Sequence, residues 1–333
     1  MPRGVRRIVT SVAAVCLLPL AGCSRNSPST LEPAGPSADR VVWLWWFMFA
    51  VAAAVVALVS ALILFGALGG RRRRDDRPEP RWATAMIVGG GVVFPIVVLS
   101  VLWGFTLRDT DVLSRPPTAP AVRIDVRGTR WWWDVRYPEL EVTTANEIHV
   151  PVGETVQLVL TSDDIIHSFW VPEISPKTDM IPGRTNTMWI RADRAGTYRG
   201  QCAEFCGLQH ANMALLVIAE PRDAFEAWVT DQRQVPAAPT DPSVVRGLEV
   251  FESSACAGCH TIQGTEADGT VGPDLTHLAS RRTLGAATIP NTRANLAAWV
   301  PNAQAFKPGA LMPPIPLSSE DLDAVVTYLE TLE

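Results

Sequence analysis

Two stretches of the chain carry no charged residue, Val41 to Gly70 and Trp82 to Leu107. Each exceeds the roughly 20 residues needed to cross a hydrocarbon core of about 30 Å. The pattern therefore predicts two transmembrane helices within residues 41–107. A buried pair in a soluble protein is the alternative, but soluble core helices rarely run this long without charge. Between the two lie Arg71, Arg72, Arg73, Arg74, Asp75, Asp76 and Arg77, with Arg81 close behind. The positive-inside rule puts this Arg-rich loop in the cytoplasm, and Trp43, Trp45 and Trp46 at the outer interface. Both ends of the hairpin then face outward, and everything after about residue 108 lies outside the cytoplasm.

From residue 120 to 220 the pattern changes to short β-branched and aromatic runs: Val122–Val126, Trp131–Tyr137, Glu147–Val150, Thr155–Leu160, Thr187–Arg191 and Met213–Ile218. Turn residues separate them, as in Pro151-Val152-Gly153-Glu154 and Pro182-Gly183. Short strands at this spacing predict an all-β sandwich or barrel. Residues 221–242 read as a short helix followed by a Pro/Ala linker, Gln234 to Pro242, of the semi-extended kind that marks a domain boundary. Residues 243–333 open with a helix whose Val244, Leu248 and Phe251 share a face. They close with a helix capped at Ser318-Ser319-Glu320-Asp321, in which Leu322, Val325, Val326 and Leu329 repeat at helical spacing.

The N-terminus adds an address. Arg3, Arg6 and Arg7 precede an apolar run from Ile8 to Leu20 and then Leu20-Ala21-Gly22-Cys23. That is the layout of a secretory signal peptide over 1–22, and the sequence around Cys23 resembles a bacterial lipoprotein box, in which Cys23 is lipidated. Ordinary cleavage nearby, with Cys23 an idle thiol, is the alternative. Net charge is −5, with no strong nucleic-acid signal. Residues 243–333 hold five Lys+Arg and ten Asp+Glu, so this segment alone carries the excess. That reads as a solvated surface or as a match to a basic partner.

Candidate chemistry gathers in two places. In Cys202-Ala203-Glu204-Phe205-Cys206-Gly207-Leu208-Gln209-His210-Ala211-Asn212-Met213, two thiols, an imidazole and a thioether fall within twelve residues. His167, just after a strand-like run, offers a second imidazole. A disulfide is the default for paired cysteines outside the cytoplasm, and a Cys/Cys/His zinc site is a second possibility. Thiolate, imidazole and thioether together favour copper. A mononuclear blue-copper site needs one thiolate, whereas two thiolates can bridge two coppers. The second place is Cys256-Ala257-Gly258-Cys259-His260, a c-type haem attachment motif: two thiols reach the haem vinyl groups and His260 binds the iron. Beyond His260 the chain has one Met, Met312, and one His, His277. Met312, in the Pro-bracketed loop Lys307 to Pro314, is expected to be the other axial ligand, as Met/His ligation keeps haem six-coordinate at raised potential. His277 reads as a surface residue and His149 as an exposed strand end.

His167-Ser168-Phe169-Trp170-Val171-Pro172, Pro182-Gly183-Arg184-Thr185-Asn186 and the stretch 202–213 resemble subunit II of haem–copper cytochrome c oxidases. The resemblance runs from the membrane hairpin to about residue 220. It implies a cupredoxin Greek-key barrel and a binuclear Cu(A) centre. Cys202 and Cys206 would bridge, His167 and His210 would each bind one copper, and Met213 would be the weak ligand. The Glu204 carbonyl would complete the set, while its carboxylate would reach magnesium at the junction with subunit I. Trp131 in Gly128-Thr129-Arg130-Trp131-Trp132-Trp133-Asp134 matches the Trp through which relatives admit electrons; plain packing of the three Trp is the alternative. Many relatives carry a Glu at the mouth of a proton channel just before the second membrane helix; Glu79 is a candidate for it, but its flanking residues, Pro78-Glu79-Pro80-Arg81-Trp82-Ala83, fit poorly. Loops Val271–Leu275 and Lys307–Pro314 resemble the haem-contact and ligand loops of small c-type cytochromes.

The whole layout resembles a membrane-anchored subunit II with a fused all-α cytochrome c domain, as in caa3-type proton-translocating oxidases. That implies subunits I and III as partners in the bacterial cytoplasmic membrane. It also implies an external c-type cytochrome or a quinol–cytochrome c reductase complex as donor. The cytochrome domain is expected to act as a tethered donor across the linker. Once His167, His210 and His260 are assigned, only His149 and His277 remain, too few for an oxygen-reducing centre in this chain. The rivals are the input subunit of a Cu(A)-containing nitric oxide reductase, a nitrous oxide reductase, which would need a large His-rich domain, and a free lipoprotein electron carrier.

Overall fold

The computed structural model describes residues 28–68, 81–115 and 119–333. The signal segment 1–22, Cys23, the Arg-rich loop from 71 to 77 and Glu79 lie outside the described residues.

The membrane hairpin consists of α1 (Pro36–Leu68) and α2 (Arg81–Leu113). Both continue past the uncharged runs, and the charged ends meet: Arg40 Nη1 lies 3.3 Å from Asp109 Oδ1. A π-helical turn over Gly89–Val93 interrupts α2. It sits just ahead of Pro95, whose missing N–H removes a rung of the helical ladder. The apolar side chains of both helices, Trp43 and Trp46 among them, point outward, as lipid-facing helices require. The hairpin is clipped to the next domain at its N-terminal root. Ala34 N–H donates to the Glu173 carbonyl, Asp193 N–H donates to the Ala34 carbonyl, and a Cβ on Gly35 would meet the Arg191 carbonyl at 2.1 Å.

The middle domain is a sandwich of two five-stranded sheets. One has the order β3 (Val142–Ala145), β2 (Trp132–Tyr137), β1 (Val122–Thr129), β5 (Val156–Ser162), β8 (Asn186–Ile190). The other runs β4 (Glu147–Pro151), β10 (Ala214–Glu220), β9 (Gly196–Cys202), β6 (His167–Trp170), β7 (Thr178–Met180). The β1–β5 and β4–β10 pairs are parallel, so the chain must cross between sheets rather than meander. The alternation of β5 is the clearest, Val156, Leu158 and Leu160 being buried and Gln157, Val159 and Thr161 partly open. Trp133, Tyr137 and Phe169 fill the space between the sheets and are fully buried, contributing about 2 kcal/mol or more each.

Three expectations are corrected here. β2 begins at Trp132, not at Trp131, so Trp131 stands in the preceding turn. His149 is not exposed: its ring stacks on Trp228 at 4.1 Å and its Nδ1 lies 2.8 Å from Glu220 Oε1. His277 is not on the surface either. It is buried, with Nδ1 2.5 Å from the Glu333 carbonyl. An imidazole is small and amphipathic enough to be buried wherever one nitrogen finds a partner, and sequence does not disclose the partner.

After α3 (Arg222–Gln232) and the linker comes the C-terminal domain: α4 (Pro242–Ser253), a two-rung hairpin β11 (Thr283–Leu284) and β12 (Ile289–Pro290), α5 (Arg293–Trp299) and α6 (Ser319–Leu329). Asp241, Thr292 and Ser318 cap its three helices through side-chain oxygens. Helices α4 and α6 cross at Gly247, where a Cβ would meet the Ala324 carbonyl at 2.1 Å and Tyr328 Cβ at 2.6 Å. A methyl at this position gains about 1 kcal/mol of helix propensity. It loses more by forcing a backbone aside, up to about 3 kcal/mol. Gly247→Ala is therefore expected to destabilise this domain by about 2 kcal/mol, read as a lower denaturant midpoint; an unchanged midpoint would contradict the close crossing.

Candidate metal and haem sites

The β9–β10 hairpin brings the first cluster together. Cys202 ends β9 and Met213 immediately precedes β10, and Cys202 N–H donates to the Met213 carbonyl. The intervening residues form a loop over the end of the sandwich. Gly207, at φ 104°, lets that loop double back in a region that favours glycine. His167 arrives from β6, whose Phe169 pairs with Cys202. The ligand atoms of His167, Cys202 and Cys206 lie within 4.8 Å of one another, all buried. Cys202 Sγ is 3.8 Å from His167 Nδ1 and 3.2 Å from the Glu204 carbonyl. Cys206 Sγ is 3.5 Å from His210 Nδ1 and 3.8 Å from Met213 Sδ. All six residues expected from the sequence thus meet in one place. The Glu204 carboxylate is half-exposed and lies 3.6 Å from Lys177 Nζ.

The two thiols, both free, are electrostatically unequal. Hydrogen bonding from Cys206 holds the Cys202 thiol well below its ordinary range, while the same contact pushes Cys206 upward. Two thiolates side by side in a dry interior would repel one another, a cost that a bound cation offsets.

A carboxylate stands behind His167. Asp164 Oδ1 is 2.9 Å from His167 Nε2, and Asp164 Oδ2 accepts from both the backbone N–H and Nε of Arg130. Because a carboxylate accepts, Nε2 carries the hydrogen and Nδ1 presents its lone pair toward the sulfurs, the usual support of a metal-binding imidazole. Gly128 makes room for the ring, since a Cβ there would touch His167 Cδ2 at 3.0 Å. Trp131 packs over Gly207 and its indole N–H donates to the Cys206 carbonyl at 2.7 Å.

The second cluster lines a cavity in the C-terminal domain, with Cys256, Cys259, His260 and Met312 around it and Trp131 and Trp132 of the β domain on its wall. His260 donates from Nδ1 to the Pro273 carbonyl at 2.8 Å, which leaves Nε2 with a lone pair. Burial pushes its pKa down, so the ring is neutral. Gln304 Nε2 donates to the Ala310 and Met312 carbonyls at 2.7 Å and shapes the Met312 loop.

Residues 139–220 match the family described as "Cytochrome C oxidase subunit II, periplasmic domain", and residues 244–333 match "Cytochrome c". The chain is 34% identical over 327 residues to cytochrome c oxidase subunit 2 of Alkalihalophilus pseudofirmus, covering 94% of each chain. The chain belongs to the cytochrome c oxidase subunit 2 family. A Bacillus species has a subunit 2 that is 32% identical over 345 residues, with 97% of this chain and 96% of that one covered. For the Bacillus subtilis subunit 2 the figures are 28% over 348 residues and 98% of each.

As a subunit 2 with a fused cytochrome c domain, the chain is a component of cytochrome c oxidase. Its family membership implies copper, haem c and a subunit I partner. The two apolar helices anchor it to a membrane, with the β domain on the outer face. The residues present fit both groups. Two buried thiols clustered with two imidazoles and a thioether are a donor set that suits copper. In the haem cavity, Arg281 is a buried cation whose Nε has no partner among the described residues; it suits an anionic edge such as a haem carboxylate. Arg281, Asp164 and Arg130 escaped the sequence reading. Asp164 had a signal, its place three residues before His167, whereas the other two had none.

Gly272 leaves space for the His260 ring: a Cβ there would sit 2.5 Å from Cε1. Gly272→Ala is therefore expected to displace the imidazole and lower the fraction of chains with six-coordinate haem several-fold, read from the absorption spectrum. A wild-type spectrum at full haem content would contradict this placement.

Proposed function

We propose that this subunit is the electron-input module of a caa3-type oxidase, taking electrons at haem c and passing them through a binuclear Cu(A) pair to haem a of subunit I. Oxygen reduction to water and proton translocation would follow in subunit I. The observation that carries this reading is the double contact of Trp131. Its indole N–H holds the Cys206 carbonyl beside the thiol cluster, while the same residue walls the haem cavity. One aromatic side chain thus spans the two candidate sites, which makes Trp131 the point where electrons reach the copper loop.

In this reading Cys202 and Cys206 would hold two coppers between them, His167 and His210 would each bind one, and Met213 and the Glu204 carbonyl would complete the set. Such a centre spreads one electron over two metals. The protein's part is rigidity: His167 and Cys202 sit on β6 and β9, Met213 directly precedes β10, and Asp164 fixes the His167 ring. Cys256 and Cys259 attach the haem, with His260 and Met312 axial. The accessible Glu204 carboxylate is the candidate for magnesium at the subunit I junction. Lipidation at Cys23, multi-pass insertion in the bacterial cytoplasmic membrane, subunit III, and a c-type cytochrome or quinol–cytochrome c reductase complex as donor complete the proposal. So do the domain limits 41–107, 120–220, 221–242 and 243–333.

Cys202→Ser is expected to abolish the shared-electron copper signal and donor-driven oxygen uptake while covalent haem remains; uptake at the normal rate would refute the route. Met312→Ala is expected to leave haem attached but lower its potential and change its absorption. An unchanged spectrum would assign the sixth ligand elsewhere.

A further inference from the structure

The cytochrome domain does not hang from its linker; it is seated on the β domain, and its β11–β12 hairpin is the plug. Glu147, buried in β4, accepts hydrogen bonds from the backbone N–H groups of Arg282 and Thr283 at 2.8 and 3.0 Å. Ala214, the residue after Met213, donates its N–H to the Ala286 carbonyl at 3.2 Å, and Arg199 Nη1 donates to the Ala287 carbonyl. Gln209, between Cys206 and His210, donates to the Pro308 carbonyl at 2.7 Å. Beside these stands Lys307. It is 3% exposed, and none of the ion pairs among the described residues includes it. Its Nζ donates to the Trp131 carbonyl at 2.7 Å and to the Gly285 carbonyl at 2.8 Å.

A buried amine is costly unless its N–H groups find acceptors; Lys307 lines the haem cavity and commits its Nζ to one carbonyl from each domain, which calls for a task. We propose that Lys307 is a positioning residue for electron transfer: by bridging the Trp131 and Gly285 carbonyls, it holds the Met312 side of the haem cavity in fixed register with the copper loop. The inference rests on the electron route above. Two observations separate it from a plain structural prop. The Met312 loop owes its own shape to Gln304, which bonds the Ala310 and Met312 carbonyls and accepts from Gly309 N–H at 2.8 Å. Lys307 instead reaches across to the backbone of the residue whose indole touches Cys206. Burial pushes the Lys307 amine down to about 7. An amine keeps two N–H groups in either protonation state, so both bonds survive its titration.

The test uses the full chain assembled with its oxidase partners, as wild type, Lys307→Met and Lys307→Gln. Wild-type copper and haem content is measured first; absence of either overturns the underlying route and the proposal with it, and so is distinguished from failure of the lysine argument alone. In Lys307→Met, hydrogen exchange at the Thr283 and Ala214 amides, which donate across the interface, is expected to rise roughly tenfold. Haem-to-copper transfer after photochemical reduction of the haem is expected to slow by roughly tenfold or more. The haem absorption and the copper resonance signal stay as in wild type. Lys307→Gln, which retains an N–H donor, is expected to lose less on both counts. An unchanged transfer rate in both variants overturns the proposal. So does loss of the Met–iron absorption, or failure of both variants to fold, since each would make Lys307 a structural prop.

Discussion

Two buried sulfurs held within 4.8 Å of each other and of the His167 imidazole set the terms for the rest of the molecule. Cys202 and Cys206 can both be anionic in a dry interior only with positive charge beside them. The surrounding fold supplies what such a cation needs. Adjacent antiparallel strands fix Cys202 and Met213, and the left-handed Gly207 lets the loop return with His210. A third strand delivers His167 with its lone pair already aimed by Asp164. Each of these positions sits on a paired backbone, so gain or loss of an electron finds little that can move. That rigidity is the physical basis for electron relay rather than bond-making chemistry.

The second level is the seating of one domain on the other. A linker such as 234–242 by itself gives a high local concentration and many orientations. The structure shows instead a plugged interface made largely of backbone groups, with one buried carboxyl, Glu147, and one buried amine, Lys307, each reaching into the opposite domain's main chain. Hydrogen bonds to charged groups contribute about 1.5–3 kcal/mol each, and their geometry allows one register. Trp131 lies in that register, between the haem cavity and the copper loop, and the tethered donor expected from sequence becomes a docked one. The face of the cytochrome domain that meets the β domain is covered by it.

The chemistry was easier to read from sequence than the architecture that supports it. The attachment motif at Cys256–His260 and the stretch 202–213 carry their ligands at fixed short spacings, so residue type and order were enough. The membrane hairpin was legible from its uncharged runs. Strands β3, β6, β7 and β9 were missed because they are short or, like Gly196–Cys202, polar and glycine-bearing, and only pairing makes them strands. His149 and His277 read as surface residues in the sequence because the Glu220 carboxylate, the Trp228 ring and the Glu333 carbonyl that they contact lie far along the chain. Lys307 in a Pro–Gly loop reads as a solvated charge; its partners at 131 and 285 exist only once two domains meet.

The most direct measurement is metal analysis and electron resonance on the purified full-length chain. The account predicts two copper atoms per chain and, in the oxidised form, one unpaired electron coupled equally to two copper nuclei. Zinc in their place, coupling to a single copper nucleus, or a bond between the Cys202 and Cys206 sulfurs in the active protein would contradict it.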